Sequence, residues 1–230
     1  MARTLWAWLA LLPLLACGLP RDPEGTLERV RREGIRVGLA EAPPWVALDG
    51  GSPRGVEVEL VLELARRLGT RVHWHPGDLE GRLAALHERE LDLVAGGLTA
   101  ETPWAKRVAL TRAYYVESLL VGAAPGTSPP RSLRDARVAV EAGSGMAAPV
   151  RERGAVPLPV ARLPAGHPLL AAPGWRLAAW RYEPVGEPLQ RRDHVLAVAP
   201  GENAWLLRIE ELLRDREAWV ARRLTRREPP

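Results

Sequence analysis

The segment from residue 91 to residue 115 constrains the fold more than any other part of this chain. An apolar run at 91–95 leads directly into Gly96 and Gly97, which are followed by Thr99. A short apolar run that ends in glycine is typical of a buried β-strand, and the glycines let a ligand approach the backbone closely. The segment therefore predicts an α/β sheet strand that ends at a ligand-binding loop.

The chain before this segment alternates between the two periodicities. Strands are predicted at 35–39, 71–75 and 91–95, and helices at 26–33, 56–68 and 79–89. Because the connections are short, this order predicts a parallel sheet with right-handed crossovers. Ligands of such sheets bind beyond the carboxyl ends of the strands. Here those ends carry residues 41–45, 75–78 and 96–99.

A strand at 117–123 and a turn-rich break at 125–130 introduce a second unit. Its predicted elements are strands at 137–140, 177–180 and 194–199 and a weak helix interrupted by Pro149. The proline-rich tract 157–173 gives no clear element. One long amphipathic helix is predicted at 203–224.

The amino terminus resembles an export signal. Arg3 precedes an apolar run at 5–16 that is too short to span a membrane, and a lipobox-like end places Cys17, the chain's only cysteine, directly after it. We expect residues 1–17 to be a lipoprotein signal peptide and Cys17 to carry the lipid. The protein would then be extracytoplasmic, periplasmic or at the cell surface, and anchored to a membrane. An ordinary signal peptide with an incidental cysteine is the alternative.

The charge pattern excludes one class of partner. The chain has 32 Lys and Arg against 28 Asp and Glu, a net charge of +4. The arginines are interspersed with acids and form no basic stripe with aromatic residues. Nucleic-acid binding is therefore not expected.

Several segments, in their order and spacing, resemble the extracellular solute-binding proteins of the amino-acid type (solute-binding family 3). They are Pro43-Pro44-Trp45, Gly55-Val-Glu-Val-Glu-Leu60, 91–115, 135–145 and 194–201. The resemblance implies an α/β, two-lobed hinged fold of the periplasmic-binding-protein type II kind. Lobe 1 would comprise 25–118 plus 200–230, and lobe 2 would comprise 122–193. Lobe 2 would be shortened, because the proline-rich tract replaces most of a family helix.

The resemblance also implies a set of ligand-binding residues in the cleft between the lobes: Trp45, Gly97, Thr99, Trp104, Ser144 and Tyr182. Trp45 would stack on the ligand, Gly97 would present a backbone group and Thr99 a hydroxyl. The alternatives are a core tryptophan and a simple strand-exit turn. Ser144 would lie on a loop of lobe 2 before a helix.

Two of these positions depart from the family. Trp104 stands where the family has the arginine that binds a ligand carboxylate, and Tyr182 where it has the aspartate that binds an amino group. Lys106, Arg107 and Arg112 could substitute for that arginine, although we expect them to be solvated or in surface ion pairs. The two departures favour an apolar or cationic organic ligand, held by stacking or cation–π contacts.

Other candidate sites favour structural roles. His73 and His75 share one face of a strand, but no third ligand stands at a suitable spacing, so no metal site is expected. Glu57 and Glu59 open a predicted helix, where the helix dipole favours carboxylates. No local Ser/His/Asp or Cys/His arrangement is present, so we expect neither catalysis nor a cofactor.

Together these features predict a solute-binding lipoprotein that captures a small organic ligand between two lobes. It would pass the ligand to the membrane permease of an ABC importer. One alternative is a degenerate accessory or sensory lipoprotein with the same fold. Another is an exported dehydratase-like enzyme on this fold, but that activity also requires binding a carboxylate, so Trp104 counts against it.

Overall fold

The computed structural model describes residues 22–164 and 166–227, which form two five-stranded sheets. We call the parts built on them lobe 1 and lobe 2. The predicted signal peptide and Cys17 lie outside the described residues. Within those residues no helix has the length and apolar character needed to cross a membrane.

The helices and strands follow one another in a regular α/β order. The first part of the chain contains α1 (Thr26–Glu33), β1 (Ile35–Leu39), α2 (Val56–Leu68), β2 (Val72–Pro76), α3 (Leu79–His87), β3 (Leu93–Ala95), a 3₁₀ helix (Pro103–Lys106) and β4 (Ala109–Leu110). The second part contains β5 (Tyr115–Ala123), β6 (Arg137–Glu141), α4 (Ala147–Glu152), β7 (Val156–Val160), β8 (Leu169–Pro173), α5 (Gly174–Ala179), β9 (Glu183–His194), β10 (Ala197–Val198), α6 (Asn203–Leu213) and α7 (Glu217–Arg227).

Lobe 1 is built on a sheet with the strand order β2-β1-β3-β10-β4. β1 is parallel to β2 and β3, whereas β10 is antiparallel to β3 and β4. α2 covers this sheet with a buried apolar face that includes Leu60 and Leu64. It ends where Gly69 adopts a left-handed conformation (φ 66°), as a glycine after a helix commonly does.

Lobe 2 is built on a sheet with the strand order β7-β6-β8-β5-β9. β5 and β9 are the two long crossover strands, and they pair antiparallel from Tyr115 and His194 onward. The helices of this lobe, α4 and α5, have six residues each, and the described residues between β7 and β8 contain no helix. The α/β fold with a shortened second lobe is therefore confirmed.

Three local predictions were wrong. Residues 177–180 form no strand: residues 177–179 belong to helix α5 and Trp180 follows it, whereas the strand of this region is β8, inside the proline-rich tract. The single helix at 203–224 is divided into α6 and α7, and Asp215 between them has a φ of 59° that a helix does not allow. Pro149 lies in the first turn of α4, where its missing N–H breaks no helical hydrogen bond.

The lobes are also joined by a helix contact. α7 of lobe 1 packs against α5 of lobe 2 and against β5. Trp175, on α5, packs into the core cluster that contains Trp45, Leu213 and Val220 of lobe 1. Two crossover strands and one interlobe tryptophan therefore determine how the lobes are placed.

Candidate ligand-binding cleft

The loops that would contact a ligand follow the carboxyl ends of parallel strands. Since β1 pairs in parallel with both β2 and β3, residues 41–45, 77–78 and 96–99 leave the sheet of lobe 1 at one edge. In lobe 2, β6 pairs in parallel with β7 and β8, and residues 142–146 follow β6. These two edges define the candidate cleft.

Trp45 lies in an aromatic cluster with Tyr114, Tyr115 and His194. Its ring centroid is 3.9 Å from that of His194, and 6.1 and 5.8 Å from those of the two tyrosines. The indole is only 6% exposed. Trp45 is therefore a core residue in this conformation, and a ligand reaches the face under His194 only if the imidazole moves. Its ligand role stays a prediction.

Glu57 lies beside this cluster as a fully buried carboxylate. Tyr114 Oη donates a hydrogen bond to its Oε1 at 2.6 Å, and the Gly97 N–H donates to both carboxylate oxygens at 3.1 and 3.2 Å. Burial raises the pKa of Glu57, and these donors together with His194 only partly oppose the rise. Burial and the adjacent Glu57 also raise the pKa of Tyr114.

Gly97 is required at its position by two separate constraints. Its φ is 67°, and a Cβ built there would lie 2.8 Å from Cδ1 of Trp45. Its N–H donates to Glu57, so the backbone donor expected to face a ligand is already used inside the protein. Thr99, two residues on, is half-buried and forms a β-bridge with His194. Its hydroxyl makes no hydrogen bond within the described residues, so it remains a candidate ligand contact.

Trp104 is in a different packing cluster from Trp45. It packs with Leu83, Leu86 and Val108, donates from Nε1 to the carboxylate of Glu80, and is covered by the guanidinium of Arg107 at 4.4 Å from the ring. The other two candidate substitutes are both exposed, Lys106 without an ion pair in the described chain and Arg112 paired with Glu210.

Tyr182 is in a third cluster, inside lobe 2. It packs with Leu177 and Trp180, and its Oη donates to the carbonyl of His167 at 2.9 Å. The expected cleft lined jointly by Trp45, Trp104 and Tyr182 is therefore not formed. The strand predicted at 177–180 would have ended shortly before Tyr182. The strand is instead β8, and Tyr182 lies beyond α5 rather than at the carboxyl end of β8.

The cleft edge of lobe 2 presents Ser144 and an unexpected ion pair. Ser144 is exposed, and its Oγ accepts a long hydrogen bond (3.4 Å) from the Met146 N–H. Arg176, just beyond β8, pairs with Glu141 at the end of β6 at 2.8 Å, and its guanidinium also lies over Trp180. The sequence reasoning missed Arg176 because it assigned the following residues to a strand.

His194 and Glu117 form a second buried site, on the crossover strands. Glu117 Oε1 accepts a hydrogen bond from Trp175 Nε1 at 3.0 Å, and its Oε2 lies 3.6 Å from Nε2 of His194. Burial pushes the pKa of Glu117 up, but His194, Trp175 and Arg192 outweigh it and leave the pKa lowered. No sequence motif marks this pair.

His73, one of the two histidines of β2, has protein partners. His73 Nε2 lies 3.0 Å from the carbonyl oxygen of Glu33 and 3.1 Å from Nε of Arg71. In the described part of the chain no three His, Cys, Asp or Glu side chains are grouped closely enough to hold a metal ion.

The profile of the bacterial extracellular solute-binding proteins, family 3, matches residues 35–218. The chain belongs to this family. The match covers both sheets and the crossover strands, so the family assignment and the two-lobed architecture rest on the same residues.

Curated relatives of this family 3 protein differ in what their names describe. The membrane-bound lytic murein transglycosylase F of Vibrio cholerae is 32% identical over 134 residues, which are 57% of this chain and 25% of the relative. The L-cystine-binding protein TcyJ of Escherichia coli is 29% identical over 42% of this chain and 37% of that protein. The arginine-binding extracellular protein ArtP of Bacillus subtilis is 26% identical over 60% and 56%. The chain thus spans about a quarter of the transglycosylases it matches.

Solved structures share the fold at low identity. An ancestral cationic amino acid solute binding protein superposes with a TM-score of 0.68 at 21% identity, over 88% of this chain and 98% of that one. The unliganded open L-cystine solute receptor of Neisseria gonorrhoeae gives a TM-score of 0.69 at 16% identity, over 87% and 94%. Both support the two-lobed fold.

Proposed function

We propose that this family 3 protein is a non-catalytic, extracytoplasmic lipoprotein that captures a small organic cation between its lobes and delivers it to an ABC importer. Family membership supports ligand binding for transport. The relatives named for binding arginine and L-cystine support a small amine-bearing solute. Cys17 would carry the lipid, and a Cys17→Ser variant should leave the membrane fraction.

The proposal that the ligand is a cation rests on the polar groups at the edge of lobe 1 where the strand-end loops lie. The Gly97 N–H, the backbone donor expected to face a ligand, donates to Glu57 instead. Trp104 replaces the basic residue that an anionic ligand would need. Glu41 and Glu101 are exposed near the same edge and form no ion pair within the described residues. Free carboxylates at this edge, with Trp104 in place of the family's arginine, favour a cation over an anion.

Arg176 would complete this arrangement from lobe 2. Its guanidinium is held against Glu141 at the carboxyl ends of β6 and β8. A ligand that also carries a carboxylate would direct that group toward lobe 2 and its cation toward lobe 1. Contacts with both lobes are available only in a closed form, so binding would favour closure.

The test is calorimetry and thermal shift on the purified protein with arginine, agmatine (arginine without its carboxylate) and glutamate. Both cations should bind and raise the melting temperature, and glutamate should not. Glu41→Gln together with Glu101→Gln should weaken cation binding about tenfold, as expected for loss of charge-assisted contacts. Glu90→Gln together with Glu187→Gln, which removes two charges from exposed acids elsewhere, is the matched control. Preferential binding of glutamate would overturn the cation assignment.

A second candidate is an accessory or sensory lipoprotein. It is favoured by the match of 134 residues to part of a murein transglycosylase, which is a relative not named for transport. Genes for a permease and an ATPase beside this one would support import. Silence of the protein across cations, anions and neutral solutes would instead support the accessory role.

A further inference from the structure

A cavity of about 640 Å³, separate from the candidate cleft, lies where β5, α5 and α7 meet. It shares no residue with the strand-end loops of the candidate cleft. Its lining comes from α5 of lobe 2, from α7 of lobe 1 and the turn before it, and from the crossover strand β5. The volume falls in the range of small-molecule sites.

Small residues leave this space between two packed helices. α5 presents Gly174 and Ala178 to it, and α7 presents Ala218 and Ala221. Longer side chains at these positions would fill the gap. The cavity is therefore a product of the sequence on both helices.

The inner wall of the cavity is aromatic and fixed. Tyr115 and Trp175 are both largely buried, and Trp175 is oriented by the hydrogen bond from its Nε1 to Glu117. A wall that is already ordered loses little side-chain freedom when a ligand binds. Such rings attract flat apolar groups and cations.

The mouth of the cavity is acidic. Asp215 and Glu217 are exposed there, and neither forms an ion pair within the described residues. Arg216, between them, points away: its Nε donates to the carbonyl of Leu212, and its Nη2 lies 3.9 Å from Glu63 on α2. The turn holds two arginines: Arg216, between the two acids of the mouth, is thus directed toward another helix, and Arg214, which precedes Asp215, is exposed.

We propose that this cavity is a second ligand site, which takes a small organic cation with a flat apolar body. The ammonium group would lie between Asp215 and Glu217, and the apolar body against Trp175 and Tyr115. The charge at the mouth excludes carboxylates, and a neutral analogue loses the ion pairs.

Binding of such a ligand would be coupled to ligand binding in the cleft. Its contacts come from α5 of lobe 2 and α7 of lobe 1, so its affinity depends on how the lobes are placed. A ligand with different affinities for two arrangements shifts the population between them, and the coupling is reciprocal. Occupancy of this cavity is thereby linked to ligand binding in the cleft.

The experiment compares benzylammonium, benzyl alcohol and benzoate by calorimetry on the purified protein. Benzylammonium should bind, the alcohol at least about tenfold more weakly, and benzoate not at all. Asp215→Asn with Glu217→Gln should reduce benzylammonium binding about tenfold. Glu90→Gln with Glu187→Gln removes the same charge from exposed acids elsewhere and should have no effect.

A filling variant tests the location. Ala178 is exposed on α5, so Ala178→Leu should fold normally, with an unchanged circular dichroism spectrum, and should lose benzylammonium binding. Thr99→Val, in the cleft, should retain it. Loss in Thr99→Val with retention in the Asp215/Glu217 variant would place the compound in the cleft and overturn this proposal while leaving the transport function intact. Equal binding by every variant, or equal binding of benzyl alcohol, would also overturn it.

Discussion

Two buried carboxylates, Glu57 in lobe 1 and Glu117 on the crossover strands, have opposite pKa shifts. Glu57 accepts hydrogen bonds from neutral donors, the Tyr114 hydroxyl and the Gly97 N–H, and its pKa is raised. Glu117 accepts a hydrogen bond from the neutral Trp175 N–H but also faces His194. Arg192 of the neighbouring strand β9 is its cross-strand partner. Its pKa is lowered.

The difference shows that burial does not by itself decide the ionisation of a carboxylate. Burial raises the pKa at both sites, so the partners decide the outcome. Neutral donors offset only part of the desolvation, whereas basic groups reverse it. Glu57 accordingly acts as an internal acceptor that holds the ligand loop, and Glu117 as an acceptor that holds Trp175 of α5 and faces His194 on the neighbouring crossover strand.

The largest effect should come from removing the acceptor at Glu57. Glu57→Ala leaves the Gly97 N–H and the Tyr114 hydroxyl buried without a partner and opens a cavity beside Trp45. We expect the free energy of unfolding to fall by roughly 2–4 kcal/mol in urea denaturation.

Glu57→Gln is the matched control, because it keeps an acceptor oxygen and nearly the same volume. It should cost about 1–2 kcal/mol, less than the alanine variant. If both substitutions cost the same, the hydrogen bonds of the carboxylate would not be what holds the loop.

The two lobes also differ in how far their sequences predict them. The bounds of α2, 56–68, follow from its apolar period and the glycine after it. In lobe 2, β7 and β8 were missed because prolines interrupt their strand pattern. β7 tolerates Pro157 and Pro159 because it is an edge strand, a position that only the sheet order reveals.

The same limit applies to the candidate site. The sequence places Glu57 at a helix start and predicts a structural role. Its partners Gly97 and Tyr114 are 40 and 57 positions away, and tertiary packing alone brings them together. Local patterns identified the loops of lobe 1 but not which of their polar groups are already bonded.

The pH dependence of stability should have opposite signs at the two carboxylates. Because the pKa of Glu57 is raised above its ordinary 4.5, its contribution is fully present below pH 4.5 and is lost as the pH rises through the folded-state value. Because the pKa of Glu117 is lowered, its contribution is present above pH 4.5 and is lost as the pH falls through the folded-state value.

The measurement is urea denaturation of the wild type, Glu57→Gln and Glu117→Gln across this pH range. The stability difference between wild type and Glu57→Gln should fall with rising pH, and that between wild type and Glu117→Gln should rise. Slopes of the same sign would contradict the contrast between the two sites.

The smallest effect should come from Glu63, an acid with basic partners but without deep burial. Hydrogen bonds from Arg66 and Arg67 lower its pKa to about 2. Its side chain is 28% exposed, and the two arginines are 72% and 46% exposed, so water screens the charges. Glu63→Gln should therefore change the free energy of unfolding by less than about 1 kcal/mol. A loss as large as that of Glu57→Ala would mean that ionic partners stabilise this fold irrespective of burial. A small loss, together with a pKa near 2 by NMR titration, would show that burial sets how much each carboxylate contributes to the free energy of unfolding, and that its partners set the direction of its pKa shift.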